Sequence, residues 1–432
     1  MLNRLKTLID ILKRSLWFIP CLMIIGGLLL GVGMNFIDSR IWQWDDPYYG
    51  YGWQVESEGV RTLFSSVCAA IITAMTTILS ITLLIFTVLA NQYGAHVLRV
   101  FKIRSFSKFV IGWFSAVYIY MIYHVYTITI NGDVGSVPRL SIMVGALLTV
   151  STIVLLILYI HFLVRQIQVG TVVYEVFEDL KQIIDRMEKI DMDSVPEEGS
   201  YHERTDLEYK VSARNAGYLQ MIDKELLKKL AEKTKITIHL PTRPGDFVVT
   251  GEPLAFIEGQ NEPVEDAAAT IRSSFILGEK RVPINDLECS LDTLVEMVLR
   301  ALSPGVNDLI VANNCIDYIG ETIALLVNKQ FPASRHYSKE GALLIVSHEF
   351  SFEGYMAAAL NPIRQYAIEH CSVVIRLMDM LIKVAKINRH PVYQQTIVRH
   401  FNAVYEPALE IHKQEIDQKS IHDRIEMMKS LF

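Results

Sequence analysis

Four stretches of this chain carry no Asp, Glu, Lys or Arg: Ser15–Ile37, Thr62–Leu98, Phe109–Gly132 and Leu140–Val164. Each exceeds the roughly 20 residues that a helix needs to cross a hydrocarbon core about 30 Å thick. Buried helices of soluble proteins rarely run so long without charge. The expected fold is therefore an α-helical integral membrane protein with four transmembrane helices, followed by an α+β cytoplasmic domain. Residues 1–164 form the membrane domain, with spans at about 15–37, 62–90, 109–132 and 140–164. Arg4, Lys6, Lys13 and Arg14 precede the first span as in a signal peptide, but its apolar run is longer than a signal's core. An uncleaved anchor is expected.

Basic residues in short flanks set orientation. Arg99, Lys102, Arg104 and Lys108 follow span two, whereas the segment before it carries Asp38, Asp45, Asp46, Glu56 and Glu58 against Arg40 and Arg61. Both termini are expected in the cytoplasm. The aromatic outer loop, Ile41 to Trp53, reads as an interfacial belt with a turn, favoured over a sugar- or ligand-binding loop. Beyond residue 164 the chain holds 30 of its 41 Lys+Arg and 40 of its 47 Asp+Glu. This acidic balance argues against a nucleic-acid surface, which needs a basic stripe.

Span two is the unusual one. Ser66, Thr73, Ser80 and Thr87 recur every seven residues, and Ala70, Thr77 and Asn91 fall on the adjoining track. One face is thus small and hydroxylated. It can line a water-filled pathway in an oligomer; it can equally serve close helix packing, with each hydroxyl bonded back to its own backbone. Packing is the favoured of the two. His124 in span three and His161 near the inner end of span four are the intramembrane titratable groups, and His124 is the functional candidate.

Helical spacing continues from Arg165 to about residue 195 as a cytoplasmic stalk, and Asp191 to Thr205 reads as a linker. A small β-rich unit, barrel- or sandwich-like, is expected over 206–260, with Asp223 capping a short helix inside it. Its phrase Pro244 to Glu258 resembles the strand-turn-strand of lipoyl- and biotinyl-carrier barrels, but no lysine follows to carry a swinging arm. Residues 265–432 read as a helical bundle. Asn285 and Glu288 have capping-box spacing, Ser303-Pro304-Gly305 ends that helix, and Asn307 or Asp308 caps the next. Further helices are expected from about Phe352 to Ile387, Pro391 to Val404, and Pro407 onward, with one more candidate strand at Gly341–Val346.

The densest polar group of the cytoplasmic part comprises Arg281, Asp286, Arg300, Ser303, Asn307, Asp308, Asn313, Asn314 and Asp317, joined by Arg364 as a candidate. Two helix starts flanked by charges of both signs can hold a small anion; caps and paired charges account for the same residues and are favoured. No P-loop, GxGxxG, GxSxG or HExxH is present, so no catalytic residue and no enzyme activity is expected. The five cysteines form no CxxC pair, and no metal or cofactor is expected from their spacing or that of the histidines.

The phrases Arg300-Ala301-Leu302-Ser303-Pro304-Gly305-Val306-Asn307-Asp308 and Asn361-Pro362-Ile363-Arg364-Gln365-Tyr366-Ala367 resemble a bacterial family of predicted membrane proteins known as domain of unknown function 2254. Gly217 to Asp223, Pro244 to Val248, Ser80-Ile81-Thr82 and Ala90-Asn91-Gln92-Tyr93 resemble it too. Ala95-His96 and Leu309-Ile310 depart from the family pattern. The resemblance implies a multi-pass protein of the bacterial plasma (inner) membrane and no reaction. The leading functional expectation is a homo-oligomeric, channel- or transport-like protein whose cytoplasmic part gates or assembles it. The alternative is a membrane-anchored sensor or scaffold binding a small anion or protein partner.

Overall fold

Glycines decide how the first two packed helices meet. In the computed structural model, α1 (Phe18–Ile41) lies closest to α3 (Ser105–Asn131). A Cβ on Gly27 would collide with the backbone of Ala116, and one on Gly112 would lie 2.6 Å from Met23 Sδ. Such small-residue contacts replace the hydrophobic drive that lipid cannot supply between helices. The structure describes residues 17–41, 57–94, 105–131, 139–166, 169–188, 209–259, 265–282 and 286–431. The aromatic outer loop after Ile41, the linker read at Asp191–Thr205 and the Ala95-His96 departure lie outside these residues.

The chain divides into two units. The first comprises residues 1–91 and 101–168, the second residues 92–100 and 169–432. In the first, α2 (Ser57–Tyr93) and α4 (Arg139–Gln166) accompany α1 and α3. Asp38 near the end of α1 caps α4: its carboxylate accepts from the backbone N–H of Leu140 at 3.1 Å, the N–H of Ser141 at 2.9 Å and the Ser141 hydroxyl at 2.6 Å. Free amides and the positive end of the helix favour the negative charge. Tyr120 on α3 closes the arrangement by donating to the Ser141 carbonyl at 2.8 Å.

Among the described residues, five helices are long and apolar enough to cross a membrane: α1 to α4, and Leu309–Leu326 in the second unit. Half of this fifth helix is buried inside the protein, more than any of the other four.

The second unit pairs a mixed α/β portion with a helical one. Its five-stranded sheet has the order β1-β5-β3-β8-β7, from Tyr209–Ser212, Pro253–Glu258, Thr237–Leu240, Leu343–Ser347 and Arg335–Tyr337. The pairings are antiparallel except β3 with β8, which is parallel. A three-stranded sheet, β4-β2-β6, joins Phe247–Val248, Gly217–Ile222 and Phe275–Gly278. Strands β6, β7 and β8 join the unit expected over 206–260 from later in the chain. The two sheets share one buried core through Leu219, Val248, Ile238 and Leu254. Alternation fails in β3 for a related reason: the strand is central, and Ile238, His239 and Leu240 are all buried. Asp223 caps α6 (Lys224–Thr234) as expected, accepting from Leu226 N–H at 2.9 Å. Helix α7 spans Glu265–Ser273.

The helical portion is built on α8 (Leu287–Ala301) and α9 (Leu309–Leu326), which pack on each other and on α5 (Val169–Asp185). The segment expected as a stalk is thus an amphipathic core helix, burying Val172, Val173, Val176, Phe177, Leu180 and Ile184. Next come α10 (Phe352–Ala367), α11 (Cys371–Ile387), α12 (Pro391–Ile411) and α13 (Glu415–Lys429). Here helix ends differ from expectation. A break at residues 368–370 divides the helix read across Phe352–Ile387, whereas α12 runs on through Pro407. Proline removes one backbone donor, and the helical residues on either side carry this one through. At the start of α8, Asp286 is the cap, accepting from Cys289 N–H at 3.0 Å, and Glu288 pairs with Arg243; Asn285 of the expected capping box lies outside the described residues.

His400 sits in this core on α12. Its Nε2 has no hydrogen-bond partner and lies 3.8 Å from Glu353 Oε1, a carboxylate already paired with Arg399. Burial, then the nearby Arg399 and Arg364, push its pKa down to about 4. The folded state therefore favours neutral imidazole. Its contribution is fully present above an unfolded pKa of about 6.5 and is lost as pH falls toward about 4. Two outcomes are expected. Thermal stability of the purified protein falls between pH 6.5 and 4, and His400→Gln shows a shallower fall in differential scanning calorimetry; identical pH slopes count against this assignment. Asp38→Ala lowers the detergent-solubilised protein's stability by about 1–3 kcal/mol, since buried amides lose a charged acceptor, and Asp38→Asn restores part of it.

Candidate functional site

The face of α2 turned away from its own bundle is the most distinctive surface of the first unit. Val60, Phe64, Cys68, Ile71, Ile78, Ile85 and Leu89 are buried, a seam with the three- and four-residue steps of a packed helix face. At 100° per residue, the expected stripe falls on the opposite side. Ser66, Thr73, Thr77, Ser80, Thr87 and Asn91 are all exposed, together with Thr62, Ala69, Ala70 and Thr76. Leu84 interrupts this run, and Leu63, Ile72, Ile81, Leu83 and Val88 flank it with bulk.

The hydroxyls answer to their own helix. Thr62, Ser66, Thr73, Thr77 and Thr87 donate to the carbonyl four residues back at 2.8–2.9 Å. Each proton is committed inward, while lone pairs on each oxygen face outward. The surface is thus a row of acceptors flanked by apolar side chains. Thr82, on the buried seam, touches Tyr159 Oη of α4 at 3.1 Å.

His124 is fully buried on α3, ringed edge-on by Phe64, Tyr120 and Tyr123 at centroid distances of 6.3, 4.6 and 5.4 Å. Neither ring nitrogen has a hydrogen-bond partner. His161, by contrast, is exposed.

In the second unit, the polar residues read as one group separate into four: the Arg281 network, the Arg300-to-Asp308 corner, Arg364 and Asp317. Arg281 makes a bidentate pair with Asp286, at 2.6 and 2.9 Å, and reaches Asp292 at 2.5 Å. Arg243 grips both oxygens of Glu288 at 2.9 Å. Burial raises the Glu288 pKa and Arg243 opposes it. Burial works against the Arg281 charge, but the bonds to Asp286 outweigh it and raise its pKa. Arg243 and Glu288 complete this network, and Arg243 lay outside the sequence-level group because only the turn before β4 brings it to α8. Gly245, at φ +106°, belongs to the same turn, and a side chain there would strike Asp286.

Arg300, Ser303, Asn307 and Asp308 lie at the other end of α8, about 20 Å away for a 15-residue helix. They build a corner. Ser303 Oγ donates to the Arg300 carbonyl at 2.6 Å, Arg300 pairs with Glu296 at 3.0 Å, and Asp308 caps α9 through the N–H groups of Ile310 and Val311 at 3.1 Å. Asn307 takes the left-handed conformation, φ +45°, that reverses the chain. Arg364 on α10 belongs to neither: it bonds Asn361 at 3.1 Å near His400. Asp317 pairs with Arg376, and the Asn313 side-chain oxygen is buried without a partner.

One convergence escapes any reading of spacing. Cys371, His412 and Asp417, from the start of α11, the end of α12 and the first turn of α13, bring one potential ligand atom each within 4.8 Å of the others.

An uncharacterized protein of Mycobacterium tuberculosis is 24% identical over 398 residues, covering 89% of this chain and 74% of the relative. One of Mycobacterium bovis has the same identity and coverage. No solved structure matches. Residues 13–383 match the family described as predicted membrane protein, DUF2254. With the apolar helices of the first unit and the Ser303-to-Asp308 corner in place, the chain belongs to the DUF2254 family of predicted membrane proteins.

Proposed function

We propose that this protein is a homo-oligomeric, channel- or transport-like protein of the bacterial plasma membrane, with copies of α2 meeting at the centre. The observation that carries this reading is the position of the hydroxyl stripe. A helix surrounded by lipid on its outer side has no use for a row of small hydroxylated residues there, whereas α1 and α4 expose Leu, Ile, Val, Phe and Met. Small residues allow close approach of a second helix, and outward lone pairs suit water or a cation. Packing and conduction are consecutive claims: copies must meet through α2 before a path can exist between them.

Four spans with both termini in the cytoplasm are part of the same reading. Burial of the fifth apolar helix, Leu309–Leu326, against α5, α8 and α11 supports a place in the second unit's core instead of the bilayer. Lys102, Arg104 and Lys108, which follow α2 in the chain, support the orientation. The Arg281–Asp286–Asp292 and Arg243–Glu288 pairs already satisfy one another, which supports a structural role for them over an anion site.

Cysteine introduced at Thr73 or Ser80 is expected to give disulfide-linked dimers in native membranes under mild oxidation, whereas cysteine at Leu158 on α4 does not. Equal yields at all three positions sink the α2 interface. In planar bilayers the purified oligomer is expected to conduct, and Ser80→Leu to change the current; intact oligomers that carry none argue for packing alone. Reporter fusions after Phe432 are expected to report the cytoplasmic side.

A further inference from the structure

We propose that Cys371, His412 and Asp417 form a zinc-binding site that staples the C-terminal helix α13 to α11. Three different donor types converge there from three helix ends. Cys371 is the first residue of α11, His412 is the C-cap of α12, and Asp417 lies in the first turn of α13. Their candidate ligand atoms stand within 4.8 Å of one another. Tetrahedral zinc, at about 2.3 Å from sulfur and 2.0–2.2 Å from nitrogen or oxygen, needs ligands about 3.3–3.8 Å apart. Side-chain shifts of about an ångström close the set.

Independent details of the geometry favour a metal over an accidental cluster. The His412 Nε2 lies 2.9 Å from the Ile368 carbonyl. A carbonyl only accepts, so Nε2 carries the proton and Nδ1 keeps its lone pair. Metal-ligating histidines are oriented by just such a hydrogen bond from the other nitrogen. Neither His370, the N-cap of α11, nor Gln414, the N-cap of α13, supplies a side-chain capping bond. The free amides at those two starts lie beside the Cys371 and Asp417 donors. Burial, then Asp417, push the Cys371 thiol up to about 11, so the ion must displace its proton. Arg424, the nearby cation, is held by Asp379 in a bidentate pair at 2.7 and 3.0 Å.

The donor chemistry selects the ion. A thiolate with an imidazole and a carboxylate suits zinc, whereas calcium and magnesium take oxygen ligands. On binding, the Cys371 thiol loses its proton to solvent, Asp417 exchanges the thiol hydrogen bond for the metal, and water completes the fourth position. The staple has something to hold. Helix α13 buries only Ile421, Ile425 and Met428. His412 and Asp417 lie beyond residue 383, where the family match ends, and Cys371 lies within it.

The full-length protein, purified in detergent, stripped with chelator and dialysed, is titrated with Zn²⁺ alone and separately with Co²⁺. About one zinc per chain is expected, with a rise in Tm. The cobalt form is expected to show a near-ultraviolet thiolate-to-metal band and visible bands of four-coordinate intensity. Cys371→Ser abolishes that thiolate band, and His412→Ala or Asp417→Asn weakens zinc binding at least about tenfold. His422→Ala, at an exposed histidine of α13, leaves it unchanged. A cobalt spectrum without the thiolate band overturns the proposal in the unaltered protein, whatever the variants do, and so does zinc affinity indifferent to all three substitutions.

Discussion

Lipid offers no hydrogen bonds, and the first unit follows from that. Every backbone N–H and C=O inside the hydrocarbon must find a partner within the protein, which leaves helices as the solution for long uncharged segments. The same constraint governs the side chains of α2. Seven of its hydroxyls, those of Thr62, Ser66, Thr73, Thr76, Thr77, Thr82 and Thr87, bond to the carbonyl one turn back, so these donors are satisfied within the helix itself. Helix ends face the same demand. Asp38 meets it for α4 by crossing from α1, and in doing so ties the two helices together where the backbone would otherwise be left unpaired.

Association in such a setting depends on shape. Gly27 and Gly112 let α1 and α3 approach to backbone contact, while α2 meets its neighbours through long side chains such as Phe64 and Tyr159. One side of α2 is therefore satisfied by bulk within the chain, and the opposite side is small and polar. The proposed assembly uses this asymmetry: helices that approach through small residues do so across the hydroxylated face, and a path between copies would be lined by oxygen acceptors.

The second unit has hydrophobic cores, and its charges pair both within a turn, as Arg300 with Glu296, and across distant segments, as Arg243 with Glu288. Arg281 and Asp286 secure the start of α8, and the Ser303-to-Asp308 corner secures its end. The geometry accounts for the order of residues from Ser303 to Asp308. Pro304 and Gly305 stop one helix, Asn307 turns the chain at positive φ, and Asp308 starts the next. A corner of this kind restricts residue type at each position without touching any ligand.

Residue order alone was enough for the uncharged lengths of the spans, the hydroxyl period of α2, the Asp223 cap, a cap at Asn307 or Asp308 and the family, because each is a local property of consecutive residues; the structure chose Asp308. It could not place β6, β7 and β8 beside the earlier strands, since strand pairing joins residues far apart in the chain. Nor could it separate Arg281 from Arg300, which sit at opposite ends of α8, or find Arg243, which arrives from another turn. Burial of Ile238, His239 and Leu240 together was equally hidden, because a central strand has no solvent face to impose alternation. It took the folded chain to turn the α2 stripe outward and to bring Cys371 to His412 and Asp417. Those facts depend on which surfaces exclude water or lipid from one another, and periodicity carries no record of the partner.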